Sequence, residues 1–227
     1  MENELEKQAS ARASLAFVNE RDIVGLGTGS TAAYFIEFLG ERVRAGMKVR
    51  GVPTSIAAQR LAEKCGIPLV ALGQVEQVNV DVDGADEFDP QLCLIKGGGG
   101  ALLREKIVAS VSKKFIVIAD SSKQVAVLGK FPLPVEVIPF AQTVVARQIS
   151  EMGAKVVLRT TEAGAAFTTD ERHHILDCHF GKIADPARLA AALSATPGVV
   201  EHGLFINMAS VVLVAKGTQV TELRPRA

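Results

Sequence analysis

Over its first half the chain alternates short apolar runs with stretches of helical period. Leu5, Ala9, Ala13, Ala16 and Phe17 recur at helical spacing and predict an amphipathic helix over 2–18. The run Ile23–Leu26 reads as a buried strand ending in Gly27-Thr28-Gly29-Ser30-Thr31. Ala32, Ala33, Phe35, Ile36 and Leu39 then resume helical period until Gly46. A second strand at 49–52 precedes a helix capped by Thr54 or Ser55 and ended by Gly66 and Pro68. Further strand candidates are 69–72, 78–82, 92–95 and 115–119, with a helix over 101–112. Alternating helices and uniformly apolar strands predict an α/β fold: an open, mostly parallel, Rossmann-like sheet with helices on both faces.

The register changes at 129–134, where Pro132 and Pro134 interrupt any regular element. Beyond it, strands are expected at 135–139, 155–159, 166–169, 174–180 and 199–206, with a helix over 141–152. A second helix begins at Asp185-Pro186, which supply an N-cap and a first-position proline. This β-α-β-β-α-β order predicts a small ferredoxin-like α+β domain. The runs 209–215 and 219–223 return to the first sheet, which makes the second domain an insertion. The expected division is 1–130 with 207–227 as the catalytic domain, and 131–206 as the ferredoxin-like domain that also forms oligomers.

Composition narrows the function classes. The 227 residues are 48% hydrophobic and 22% charged, the profile of a globular chain with a substantial core. Lys+Arg and Asp+Glu both number 25, so no net charge draws the chain to nucleic acid. With no Trp and one Tyr, a base-stacking platform is disfavoured too. No apolar run is long enough to span a bilayer, and the N-terminal stretch lacks the continuous apolar core of a signal peptide. Cys65, Cys93 and Cys178 are far apart and lack metal-ligand spacing, as expected of reduced thiols in a cytoplasmic protein.

The chemistry concentrates in 81–106. Asp81, Asp83, Asp86, Glu87 and Asp89 crowd one strand end, a costly arrangement unless cations, donors or a substrate offset the repulsion. Asp83 and Asp86, three residues apart across Gly84-Ala85, suit either the hydroxyls of a polyol or a magnesium ion. Lys96 beside Gly97, Gly98, Gly99 and Gly100 offers a cation and backbone amides to a developing oxyanion. Glu105, in the first turns of the next helix, is positioned for general-base work. Upstream, Thr28, Gly29, Ser30 and Thr31 open a helix and suit a phosphate, although the lysine of a nucleotide P-loop is missing. Lys123 follows the 115–119 strand and is a second phosphate candidate. His173, His174, His179 and His202 all fall in the second domain; Asp177 and His179 share a strand face but form no usual metal signature.

Together, GLGTGSTA at 25–32, DVDGADE at 81–87, KGGGGALLREK at 96–106, GKFPLPVEVIP at 129–139 and GLF at 203–205 resemble the type A family of ribose-5-phosphate isomerases. That resemblance implies interconversion of D-ribose 5-phosphate and D-ribulose 5-phosphate in the pentose phosphate pathway, with neither metal nor organic cofactor. Carried over motif by motif, it implies that Thr28, Gly29, Ser30 and Thr31 bind substrate, with Lys123 and Lys7 assisting at the phosphate. It further implies that Asp83, Gly84, Ala85 and Asp86 contact the sugar, Asp83 serving ring opening. Lys96, Gly97, Gly98 and Gly99 would stabilise the enediolate, and Glu105 would carry the proton between C2 and C1. Family members are typically homodimers or homotetramers. The chain departs from the usual pattern at Gly100, where alanine is common and a fourth glycine is expected to loosen the loop, and at Leu103, where threonine is common. The competing expectations are a non-catalytic sugar-phosphate sensor, although no DNA-binding arm accompanies it, and a sugar-phosphate deaminase or lactonase of related architecture.

Overall fold

The computed structural model describes residues 2–225, so residues 1, 226 and 227 of the expected domain bounds lie outside the described residues. The chain forms two compact units. Among the described residues, the first contains 2–85, Arg104–Lys123 and 207–225; the second contains Asp86–Leu103 and Gln124–Ile206.

A six-stranded sheet organises the first unit. From edge to edge its strands are Gln219–Leu223, Val211–Lys216, Phe115–Asp120, Val80–Gly84, Ile23–Leu26 and Arg50–Pro53. All neighbours run parallel except the Gln219–Leu223 edge, which returns antiparallel through Gly217. Val80 and Val82 alternate with Asp81 and Asp83 on the central Val80–Gly84 strand, so its two faces have different chemistry. The valine face joins Leu26, Ile116, Ile118 and Leu213 under helices Glu2–Ser14, Ser30–Arg44 and Ile56–Lys64. On the opposite side, Val108 of helix Leu102–Ser110 packs with Ile23 and Val52.

The predicted strand at 69–72 does not form. Leu69 makes one isolated bridge to Gly51, and Leu72–Gln74 is a single 3₁₀ turn. An apolar run of four residues cannot by itself distinguish a strand from a packed loop, and here the sheet already ends at Arg50–Pro53.

The second unit holds a four-stranded antiparallel sheet in the order Val199–His202, Leu133–Val137, His174–His179, Lys155–Leu158. In chain order these are the fourth, first, third and second strands, the ferredoxin-like arrangement. One face buries Leu133, Val135, Val137, Leu176 and Cys178 with Val145 and Ile149 of helix Gln142–Glu151 and Leu193 of helix Pro186–Ser194. Asp185 caps the latter helix by accepting from the Arg188 N–H at 2.9 Å.

A third sheet was not legible in the sequence. Leu204–Phe205, Leu94–Ile95 and Glu87–Phe88 form a three-stranded antiparallel ribbon, so the single strand expected at 199–206 is two strands in two sheets. Gly203 is the point of change. Its N–H donates to the Pro134 carbonyl at 2.8 Å, its carbonyl accepts from the Lys96 N–H at 2.9 Å, and a Cβ there would collide with Lys96 O. Pairing in this ribbon places Asp86–Leu103 in the second unit, whereas the sequence placed it with the first.

Glu6 closes the first unit on itself. Its Oε2 accepts from the Ser121 N–H at 2.9 Å and hydroxyl at 2.8 Å, and its Oε1 accepts from the Gly217 N–H at 2.9 Å. The two backbone amides, Gly217 first, hold this buried carboxyl below its ordinary value of 4.5. A depressed folded-state pKa stabilises the protein above 4.5, and that contribution fades as pH falls through the folded value. Glu6→Gln is therefore expected to cost about 2 kcal/mol at neutral pH, the scale of hydrogen bonds to a charged group. Denaturant unfolding of both proteins at several pH values checks this: the gap should narrow below pH 4.5, and a gap independent of pH would rule the charge out.

Candidate active site

Each unit contains part of the predicted residue set. In the first, the Ile23–Leu26 and Val80–Gly84 strands lie side by side, and Gly27 follows the former opposite Asp83. Asp83 is fully buried. Its Oδ1 accepts from the Thr28 N–H at 3.0 Å and from the Gly84 N–H at 2.7 Å. A Cβ on Gly27 would collide with the Asp83 carboxylate and come within 2.6 Å of its Cα, so only glycine lets the two strand ends approach this closely. Gly25 does the same for Asp81, one pleat back.

The loop that follows is tied down by hydroxyls. Thr28 Oγ1 lies 2.8 Å from Thr54 Oγ1 and donates to Ser55 Oγ at 2.8 Å. Thr54 donates onward to the Leu26 carbonyl at 2.9 Å, and Ser55 caps the next helix by accepting from the Ala58 N–H at 3.0 Å. Gly29 then takes a left-handed φ of 113° and starts helix Ser30–Arg44, whose N-terminus receives no side-chain cap. Gly29 and Ser30 are exposed, while Thr31 is buried. An uncapped helix start with exposed amides has the polarity to hold an anion.

Two other predicted residues belong to this unit. Glu105 is 2% exposed in the first turn of helix Leu102–Ser110. Half-buried Lys123 ends the 3₁₀ turn Ser121–Lys123, which Glu6 anchors at Ser121 and Asp120 anchors by accepting from the Ser122 N–H at 3.0 Å. Lys7, on helix Glu2–Ser14, pairs with Glu4 at 2.7 Å.

In the second unit the acid cluster separates into different tasks. Asp86 Oδ2 accepts from the Gly98 N–H at 2.7 Å, joining two predicted substrate contacts. Glu87 is structural: its buried carboxylate accepts from the Gly129 N–H at 2.8 Å and the Phe131 N–H at 2.6 Å. Asp89 is structural too, closing its own turn by accepting from the Gln91 and Cys93 N–H groups, both at 2.9 Å. Backbone donors, rather than a cation, thus satisfy these two acids. Among the described residues, no group of three or more His, Cys, Asp or Glu is arranged to hold a metal ion.

Lys96 is 3% exposed, with Nζ 5.4 Å from the centre of the Phe205 ring. Gly97 has φ 102°, and a turn bond from the Gly100 N–H to the Gly97 carbonyl spans 3.0 Å. Gly98 and Gly99 are exposed. The fourth glycine does not loosen this loop: Gly100 has φ 80°, and the Phe167 ring fills the space a Cβ would need. Leu103 is half-buried.

Sequence reasoning missed Gly203, Phe205 and the pairing of Arg159 with Asp177. The first two lie in the GLF segment, noted for its resemblance but given no role. Arg159, just after strand Lys155–Leu158, and Asp177, on the neighbouring strand His174–His179, are eighteen positions apart, and nothing in their spacing marks them as partners. The histidines have structural contacts: His173 Nδ1 lies 3.0 Å from Glu136 Oε1, His174 Nδ1 lies 2.6 Å from Gln142 Oε1, and His202 Nε2 lies 3.1 Å from Ser194 Oγ.

Residues 50–219 match the family model described as Ribose 5-phosphate isomerase A (phosphoriboisomerase A). Ribose-5-phosphate isomerase A of Nitrobacter hamburgensis is 54% identical over 97% of this chain and 98% of its own. The protein of that name from Gloeobacter violaceus is 50% identical over 100% and 99%. Among solved structures, a D-ribose-5-phosphate isomerase in complex with phospho-erythronic acid superposes with a TM-score of 0.96, 41% identity and coverage of 99% of this chain and 100% of that one. The ribose 5-phosphate isomerase A of Methanocaldococcus jannaschii gives a TM-score of 0.91, 43% identity and coverage of 97% and 98%.

The close approach at Asp83 generates a test. Gly27→Ala should lower stability by roughly 1–3 kcal/mol, the usual range for forcing atoms into a packed site. Gly73→Ala is the control, because a Cβ there meets nothing within 4 Å and its φ is ordinary. Equal urea midpoints for the two variants would contradict the proposed strand contact.

Proposed function

The chain belongs to the ribose 5-phosphate isomerase A (phosphoriboisomerase A) family, and on that premise we propose that it interconverts D-ribose 5-phosphate and D-ribulose 5-phosphate through an enediolate. The reaction moves one proton between C2 and C1 and requires an open-chain sugar, a base and a stabilised oxyanion. In this reading Gly29, Ser30 and Thr31 hold the phosphate at the uncapped helix start, with Lys123 adding a cation. Thr28 keeps the loop in place through its contacts with Thr54, Ser55 and Asp83.

Asp83 assists ring opening by taking up and returning the hydroxyl proton, and Gly84, Ala85 and Asp86 orient the sugar hydroxyls. Lys96 and the backbone of Gly97, Gly98 and Gly99 stabilise the enediolate oxygen, and Glu105 carries the proton. The observation that carries this reading is the burial of two ionisable side chains, Lys96 and Glu105, to 3% and 2% exposure on either side of a glycine run. Burial strengthens electrostatic interactions with a developing charge, and glycines let backbone amides approach it.

The ligand of the solved relative fits the same chemistry. Phospho-erythronic acid carries a carboxylate that resembles the oxygens of an enediolate, and we extend its binding to this chain as a competitor of the sugar phosphate. Cytoplasmic residence is supported by Cys65, Cys93 and Cys178, which are all free thiols; burial pushes Cys178 up to about 12. No described helix is long and apolar enough to cross a membrane. A homodimer or homotetramer built through the ferredoxin-like segment 131–206 is supported by exposed Ile138, Phe140 and Val144, with Phe140 97% exposed.

Glu105→Gln should reduce kcat at least about 100-fold, the scale of a lost general base, while ribose 5-phosphate still binds. Stopped assays with titration calorimetry separate the two effects, and unchanged turnover would remove Glu105 from the reaction. Exhaustive chelation is expected to leave turnover unaltered; loss of activity restored by a divalent ion would favour metal-assisted chemistry at Asp83 and Asp86.

A further inference from the structure

Arg159 follows strand Lys155–Leu158 and lies outside every motif considered above. Its guanidinium works along two edges. Nε donates to Asp177 Oδ2 at 3.0 Å and Nη2 to Asp177 Oδ1 at 2.5 Å, a bidentate pair with side chains only 13% and 19% exposed. Nη1 on the opposite side donates to the Gly97 carbonyl at 2.8 Å and the Gly98 carbonyl at 3.1 Å.

Those two carbonyls fix two amides. The chain contains no cis peptide among the described residues, and in a trans peptide the C=O and N–H point in opposite directions. The Gly97 carbonyl shares its peptide with the Gly98 N–H, which is directed at Asp86 Oδ2, 2.7 Å away. The Gly98 carbonyl shares its peptide with the Gly99 N–H. Drawing both carbonyls onto one guanidinium therefore turns both amides away from Arg159. A run of four glycines has no side chains to hold such an orientation, so an external anchor is needed. Phe167 completes it: its ring lies 5.9 Å from the Arg159 guanidinium carbon and fills the space beside Gly100.

We propose that Arg159, held in orientation by Asp177, is a positioning residue of the glycine loop. It directs the Gly98 N–H to Asp86 and the Gly99 N–H to the enediolate oxygen. This rests on the reading of Lys96–Gly99 as the oxyanion-stabilising segment. A planar fork is required because one group must satisfy a carboxylate along one edge and two carbonyls along another, and a lysine ammonium cannot reproduce that geometry.

Arg159→Ala, Arg159→Lys, Asp177→Asn and Glu105→Gln are assayed side by side. Arg159→Ala should lower kcat roughly 10- to 100-fold, the cost of a small misplacement of a catalytic group, with KM for ribose 5-phosphate within about threefold because the phosphate anchor is intact. Phospho-erythronic acid should lose affinity by a factor close to the fall in kcat, and millimolar guanidinium should restore part of the turnover. Arg159→Lys should remain impaired. Should the alanine variant fail to fold, Asp177→Asn serves instead, with a smaller fall in kcat and the same unchanged KM. The proposal is overturned if the folded variants keep kcat within about threefold while Glu105→Gln loses it, or if guanidinium restores nothing and the loss follows the unfolded fraction. Undiminished turnover in Glu105→Gln would instead overturn the functional reading on which the proposal rests.

Discussion

Backbone amides donating to buried and half-buried carboxylates hold the loops of this protein in register. Asp83 accepts from Thr28 and Gly84, Asp86 from Gly98, Glu87 from Gly129 and Phe131, and Glu6 from Ser121 and Gly217. Apart from the Asp83 bond to neighbouring Gly84, each acidic side chain reaches backbone N–H groups at least twelve positions away in sequence. A carboxylate left without donors in such an environment would face a large desolvation penalty. The same bonds that make burial tolerable therefore decide where the loops sit, and the two requirements cannot be separated.

Glycine is the counterpart of this arrangement. Gly27 leaves space for the Asp83 carboxylate, Gly98 approaches Asp86, and Gly203 lets the chain pass between Lys96 and Pro134. These positions carry no side-chain chemistry, yet they control distances at the residues that do. The acidic cluster around 81–89 resolves accordingly. Asp83 and Asp86 are associated with the predicted substrate loops, while Glu87 and Asp89 hold local backbone, and no shared cation is needed to relieve their repulsion.

Much of this was legible from periodicity. Strand Ile23–Leu26, helix Ser30–Arg44 and strand Phe115–Asp120 stand out because a 2- or 3.6-residue period or a fully apolar run is intrinsic to the local sequence. Ser55 and Asp185 were readable as caps for the same reason. What stayed hidden depends on distant partners. The Leu204–Phe205 ribbon needs Leu94–Ile95 to exist, and a two-residue strand has no period to detect. Arg159 is only the last position of the strand expected at 155–159, because its partners Asp177, Gly97 and Gly98 are distant in sequence. Gly100 showed the limit of composition, since a fourth glycine implies freedom only where nothing like Phe167 occupies the space.

If positioned side chains shuttle a proton through an enediolate, the fate of that proton reports on them directly. Ribose 5-phosphate should be turned over in deuterated water and both sugar phosphates followed by nuclear magnetic resonance. A carboxylate that holds the proton between C2 and C1 exchanges it with solvent, so deuterium should accumulate at C1 of ribulose 5-phosphate and at C2 of recovered ribose 5-phosphate. Repeated turnover with no deuterium in either sugar would rule out a solvent-exchanging carboxylate shuttle and point to direct hydride transfer.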